Sequence, residues 1–287
     1  MAEPIPDEEK LALATHFLLS APPAEIKEVL ADVKVILDPP SLLTDGVLKS
    51  IFKKYNVQNF EQIEYGEGKV VVSEFGELDA KHFVTAKGEV VQVDHVTQKA
   101  TAAGDGAPKY EPGTLKEQRA AVLDAMQDYC ASQFTPGSAE CNVHESKDGK
   151  EIIVVLCGQK ANLRSYWTGK WRSEWHFDVK GKMATGKVRI VVHYFEDGNV
   201  QMEQSKDVAK APLIPKGGDE KAFADACRDF VEKNEGMIQE TLEEMFISMS
   251  VETFKDMRRV LPITKTKFDW TGASMKLASG MGKGKGA

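Results

Sequence analysis

Cysteine is scarce in this 287-residue chain, and none of the four residues Cys130, Cys141, Cys157 and Cys227 forms a C-x-x-C pair. That spacing argues against a zinc ribbon or a thioredoxin-like motif, and thiols set in apolar or helical runs read as reduced cysteines of a cytosolic protein. Long hydrophobic runs are absent too, since none approaches the ~20 apolar residues that span a bilayer. Met1–Lys10 is acidic and punctuated by proline, unlike a secretory leader, and no N-x-Ser/Thr acceptor occurs. A cytoplasmic protein is expected. An overall basic excess is missing as well: the net charge is −7 and the pI about 5.5, so a nucleic-acid partner is not expected. Also lacking are a nucleophile elbow, a metal-ligand pattern, a nucleotide loop and a paired-acid constellation, so neither an enzyme nor a cofactor is expected. The glycine-rich end, Gly280–Gly286, has no preceding strand and is not a phosphate loop.

What is present is unevenly charged. Lys255–Ala287 holds eight Lys/Arg against two Asp, a net +6, which leaves −13 on the first 254 residues. An acidic body with a basic end points to an acidic partner for that end.

The pattern along the chain is α+β. Three short helices are expected over residues 1–57. Asp7 would cap the first, with Leu11, Ala14, Phe17 and Leu18 as its apolar stripe; Pro22-Pro23 would end it. The second would run over Ala24–Leu37, and Ser41 would cap a third, reaching about Tyr55. Residues 58–113 read as a small β region (Phe60–Val96) followed by a mobile surface loop, Thr97–Gly113, that is rich in Ala, Gly and Pro. Residues 114–253 read as a helix (Thr114 to about Gln133), five consecutive antiparallel strands, and a long helix capped by Asp219 that could reach Met249. Asp148-Gly149 and Asp197-Gly198 mark hairpin turns. Ile152–Cys157 is apolar on both faces, so each side of the sheet needs a cover. The long helix is the expected cover for one side, and it would overhang five strands at ~4.8 Å per strand. Residues 254–287 form a basic segment and tail. The pattern describes half of a larger architecture.

Two runs are distinctive: YWTGKWRSEW at Tyr166–Trp175 and VHYFEDGNV at Val192–Val200. In the first, Trp171, Ser173, Trp175 and Phe177 should face one way and Arg172, Glu174 and His176 the other. Tryptophans at this spacing suit core or interface packing, and His176 and His193 have no partner carboxylate in the sequence pattern that would suggest chemistry. A third run, FKDMRRVLP at Phe254–Pro262 followed by TKTKFDW at Thr264–Trp270, carries the basic residues. With these motifs and this element order, nearly the whole chain resembles the F-actin capping protein alpha subunit family.

That resemblance implies a non-enzymatic subunit that pairs with a capping protein beta subunit, completing a ten-stranded sheet. The pair would sit on the barbed end of an actin filament and block subunit exchange there, independently of calcium and without severing. It implies actin contact at Lys255, Arg258, Arg259, Lys265, Lys267, Trp270 and Leu277, association with the actin cytoskeleton, and regulation by phosphoinositides and by proteins of the CARMIL or myotrophin type. The alternatives are a role in capping the short filament of a scaffold such as dynactin, or a phosphoinositide-regulated binding module. Residue chemistry is consistent with these roles. Lys255 and Arg259, at i and i+4, share a helix face, while Phe254, Met257 and Leu261 can dock on the body. Trp270, Ala273, Leu277 and Met281 keep a helical stripe, which Gly272 and Gly280 weaken by ~1 kcal/mol each.

Overall fold

The computed structural model describes residues 5–196 and 199–248. The chain divides into two compact units, residues 1–235 and 236–287. Helices α1 (Asp7–Leu19), α2 (Ile26–Ile36) and α3 (Asp45–Gln58) open the first unit and enclose Leu18, Ile26, Val33, Phe52 and Tyr55. The buried Tyr55 hydroxyl donates to the Pro22 carbonyl at 3.1 Å, which fixes the α1–α2 turn against α3.

Several local expectations are corrected. Asp7 begins α1 rather than capping it, because Pro6 occupies the cap position and no side-chain cap bond forms. Its charge still lies in the first turn, where the helix dipole favours it. Thr44, not Ser41, caps α3 by accepting from the Val47 N–H at 3.4 Å; Ser41 lies in a short 3-10 turn, Pro40–Leu42. Helix α2 starts later than expected, after Ala24 takes a left-handed φ of 65°. Phe17 is 57% exposed instead of buried. Ala14 and Leu18, at i and i+4, form the inward line of α1, and Phe17 is rotated ~100° from Leu18.

A small sheet follows, with strands β1 (Gln62–Tyr65), β2 (Gly68–Val71), β3 (His82–Val84), β4 (Val90–Asp94) and β5 (Lys99–Ala102) in the order β2-β1-β5-β4-β3. The strand β5 corrects the expected loop over Thr97–Gly113. Asp94 Oδ1 accepts the N–H groups of Val96 at 3.0 Å and Thr97 at 3.3 Å, closing a turn that sends the chain back along β4. Lys99–Ala102 then pairs antiparallel with β4, and Lys99 meets Glu64 in parallel register. The low strand propensity of Lys, Ala and Thr-Ala is overridden because both edges of β5 find partners.

The large sheet forms as expected from five consecutive antiparallel strands. After helix α4 (Lys116–Gln133) come β6 (Ala139–Glu145), β7 (Glu151–Asn162), β8 (Trp167–Asp178), β9 (Met183–Tyr194) and β10 (Val200–Pro212), in spatial order β10-β9-β8-β7-β6. Helix α5 (Glu220–Ser248) follows, and Asp219 caps it by accepting the Ala222 N–H at 2.9 Å. Residues Ile152–Cys157 of β7 are buried throughout. On one face Trp175 and Phe177 meet Phe230 of α5 edge-on, with ring centroids 5.8 and 6.2 Å apart. On the other, Val155 and Cys157 pack with Phe60 and Val71 from the small β region.

Gly186 of β9 stands opposite Trp175 in the ladder, and a Cβ there would lie 2.2 Å from the indole. The bare backbone makes room for the buried ring. Gly186→Ala should therefore cost about 2–3 kcal/mol by overpacking. Urea unfolding checks this, and a loss below about 0.5 kcal/mol would mean the indole can move aside.

Candidate functional site

The two distinctive sequence runs converge on one end of the large sheet. Tyr166, at φ 57°, turns the chain from β7 into β8. Alternate residues of β8 then serve opposite faces. Thr168 Oγ1 donates to Glu25 Oε1 at 2.9 Å, Lys170 forms a buried ion pair with Glu61, and Arg172 Nη1 donates to Asn59 Oδ1 at 3.3 Å. These three tie the sheet to the N-terminal helices. On the other face, Ser173 Oγ and Trp175 Nε1 donate to Glu235 of α5 at 2.6 and 3.3 Å.

His193 closes the same knot from β9. Its Nδ1 lies 2.7 Å from Glu25 Oε1, its Nε2 3.1 Å from Asn199 Oδ1, and its ring stacks on Phe195 at 4.9 Å. The β9–β10 turn, the β7–β8 turn and the start of α2 are thereby joined. This corrects the expectation that no carboxylate accompanies the histidines. His176 also has two, Glu174 at 2.7 Å and Glu151 at 3.2 Å. Those hydrogen bonds, chiefly that to Glu174, raise the His176 pKa. Glu174 lies on the same strand face at i−2 and was legible; Glu25 is 168 positions from His193 and was not. Both histidines act as ties. Among the described residues no group of three His, Cys, Asp or Glu side chains could hold a metal, and no helix is long and apolar enough to cross a membrane.

The two outer edges of the sheet differ. At β6 the Val143 N–H is taken by Asn142 Oδ1 at 2.8 Å, and its carbonyl by Arg119 Nε of α4 at 2.7 Å. Arg119 also bonds the Ala86 carbonyl at 2.9 Å, so this edge is bound into the small β region. β10 has β9 on one side only, and among the described residues no strand pairs with its other side. It is 13 residues long and exposed over most of its length, with Val200 61% accessible. At ~3.4 Å per residue it presents about 44 Å of strand edge. An edge this long is a template for another strand, and Glu203, Lys206, Asp207 and Lys210 are the charges that discourage indiscriminate pairing.

Every site residue expected from the sequence, Lys255, Arg258, Arg259, Lys265, Lys267, Trp270 and Leu277, lies outside the described residues. The open β10 edge was expected only generally, as an incomplete sheet. The signal that locates it is the contrast between Arg119 and Asn142 at one edge and solvent-facing residues at the other.

Comparison with known proteins gives a consistent picture. A family model described as F-actin capping protein alpha subunit matches residues 14–280. An F-actin-capping protein subunit alpha from Dictyostelium discoideum is 30% identical over 285 residues, covering 96% of this chain and 99% of that protein. One from Arabidopsis thaliana is 28% identical over 277 residues, covering 92% and 89%. Among solved structures, the homodimeric actin capping protein alpha subunit from Plasmodium berghei aligns with a TM-score of 0.72 at 20% identity, over 90% of this chain and 98% of that one.

Proposed function

The chain belongs to the F-actin capping protein alpha subunit family, and from that premise we propose that it caps the barbed ends of actin filaments as one half of a dimer. The observation that carries the dimeric reading is the 13-residue outer edge of β10, with which no strand pairs among the described residues, whereas at the β6 edge side chains engage both backbone groups of Val143. A capping protein beta subunit adding its own sheet there would satisfy the free backbone groups over a long interface. The Plasmodium berghei relative is a homodimer; here the heterodimer is the favoured assembly, because the family resemblance is to the alpha partner of an alpha–beta pair.

Contact with actin falls to the basic segment. Lys255, Arg258, Arg259, Lys265 and Lys267 would meet the acidic filament end, with Trp270 and Leu277 as apolar anchors. The cap acts without catalysis, in the cytoplasm at the actin cytoskeleton.

Seeded actin elongation tests this with the chain coexpressed beside a beta subunit. Barbed-end growth should stop at saturating dimer. Lys255→Glu with Arg259→Glu should weaken capping by about a hundredfold, because two charge-assisted contacts are worth ~1.5 kcal/mol or more each. Growth that continues unchanged with the wild-type dimer rejects the reading.

A further inference from the structure

A cleft of about 730 Å³ lies between α3 and the β8–β9 face of the large sheet. On its floor Arg172 and Arg189 stand directly opposite each other in the ladder, with Lys187 on the same face of β9. Lys53 and Lys54 of α3 form the opposite wall. The acidic groups there are largely engaged. Glu77 holds Lys53 at 2.6 Å, Glu174 holds His176 at 2.7 Å, and only Glu74 has no cationic partner among the described residues.

The two arginines are incompletely satisfied. Arg189 Nε sits 2.5 Å from Glu203 Oε1, yet its buried N–H finds no aligned acceptor. Arg172 has neutral neighbours: the Asn59 amide oxygen at 3.3 Å and the Phe60 ring, 5.9 Å from centroid to guanidinium. Among the described residues no carboxylate reaches ion-pair distance of Arg172. Burial, with Arg189 alongside, pushes the Arg172 pKa down to about 10. Glu203 thus pairs with Arg189, whereas Arg172, which faces Arg189 across the ladder, is oriented only by groups that cannot neutralise it. Guanidiniums bind phosphate oxygens through paired N–H donors, so this floor suits an anion.

We propose that this cleft binds a small anion carrying clustered phosphates, with Arg172 and Arg189 as its floor and Lys187, Lys53 and Lys54 around its rim. The same chemistry is offered by a free pyrophosphate-like group or by a bisphosphorylated inositol lipid headgroup. The site is separate in sequence from the basic segment at 255–267 and needs no actin.

Calorimetric titration of the full-length chain, coexpressed with its beta partner, uses pyrophosphate as the free probe and vesicles containing a phosphatidylinositol bisphosphate as the lipid probe. Pyrophosphate should bind, Arg172→Gln should weaken it about tenfold, and Arg172→Lys, which keeps the charge but loses the fork, about threefold. Lys187→Gln, at the exposed rim, should weaken it two- to threefold and tests the site without disturbing the buried floor. Vesicle binding that Arg172→Gln removes, without pyrophosphate binding, supports the same site with the lipid as its source. Failure of both probes to bind overturns the proposal. So does binding that survives Arg172→Gln and Lys187→Gln but disappears in Lys255→Gln/Arg259→Gln.

Discussion

Lys170→Met is expected to destabilise the protein by about 3–5 kcal/mol, because it strands the Glu61 carboxylate without its partner. Lys170 and Glu61 are 4% and 5% exposed, in direct contact between β8 and the chain leaving α3. Glu61 also sits within the backbone hydrogen bonds that start the small β region: its N–H donates to the Asn56 carbonyl and its own carbonyl accepts from Val72, both at 3.0 Å. A carboxylate held that firmly cannot swing out to water. The informative comparison is the double replacement Glu61→Met/Lys170→Met. A buried ion pair exchanged for packed apolar groups is often neutral, so the double variant should recover most of the stability that the single one loses. Urea denaturation of the wild type, both single variants and the double variant closes the cycle. A single-variant loss below about 1 kcal/mol would show that Glu61 reaches solvent or a proton without reorganising the fold.

This pair also marks the limit of what the sequence discloses. The alternation in Trp171–Phe177 was readable, and so was the polarity of the opposite face. Arg172, Glu174 and His176 fall on that face, and a cover is expected there without its identity. In the structure that face is covered by the N-terminal helices, through Glu25, Asn59 and Glu61. Periodicity reports which residues share a face; it does not report which distant polar segment arrives to cover it. The meander of five strands was legible because Asp-Gly turns and period-2 patterns are local signals. Strand β5 was not, because its stability comes from two neighbouring strands, one of them 35 positions earlier at Glu64↔Lys99. Likewise Ser41 and Thr44 are both competent cap residues, and only the 3-10 turn at Pro40–Leu42 decides between them. At the candidate site, the family resemblance pointed to the basic segment, which lies outside the described residues. The Arg172–Arg189 pairing required the β8–β9 register.

The second large effect is expected at Glu235. Its carboxylate is 3% exposed and accepts from Tyr129 Oη at 2.8 Å, Ser173 Oγ at 2.6 Å and Trp175 Nε1 at 3.3 Å. It therefore ties α4, β8 and α5 together. Glu235→Ala leaves two hydroxyls and an indole N–H without their acceptor and should cost about 3 kcal/mol or more. Glu235→Gln should be milder, since its amide oxygen can still face the indole while a hydroxyl turns to accept from the amide. The pH dependence separates charge from geometry. Burial raises the Glu235 pKa, outweighing the donors that favour its ionised form. A carboxyl whose folded pKa lies above its unfolded value contributes stability that is fully present below the unfolded value, near ~4.3, and is lost as pH rises through the folded one. Across that window the wild type should lose stability relative to Glu235→Gln with rising pH, at a slope of up to about 1.4 kcal/mol per pH unit. Chemical denaturation of both proteins at a series of pH values reads this difference while cancelling the titrations they share. A wild type that instead gains on the Gln variant as pH rises would mean that Tyr129, Ser173 and Trp175 together stabilise the carboxylate more than burial penalises it, and that the α4–β8–α5 junction is built around a charge.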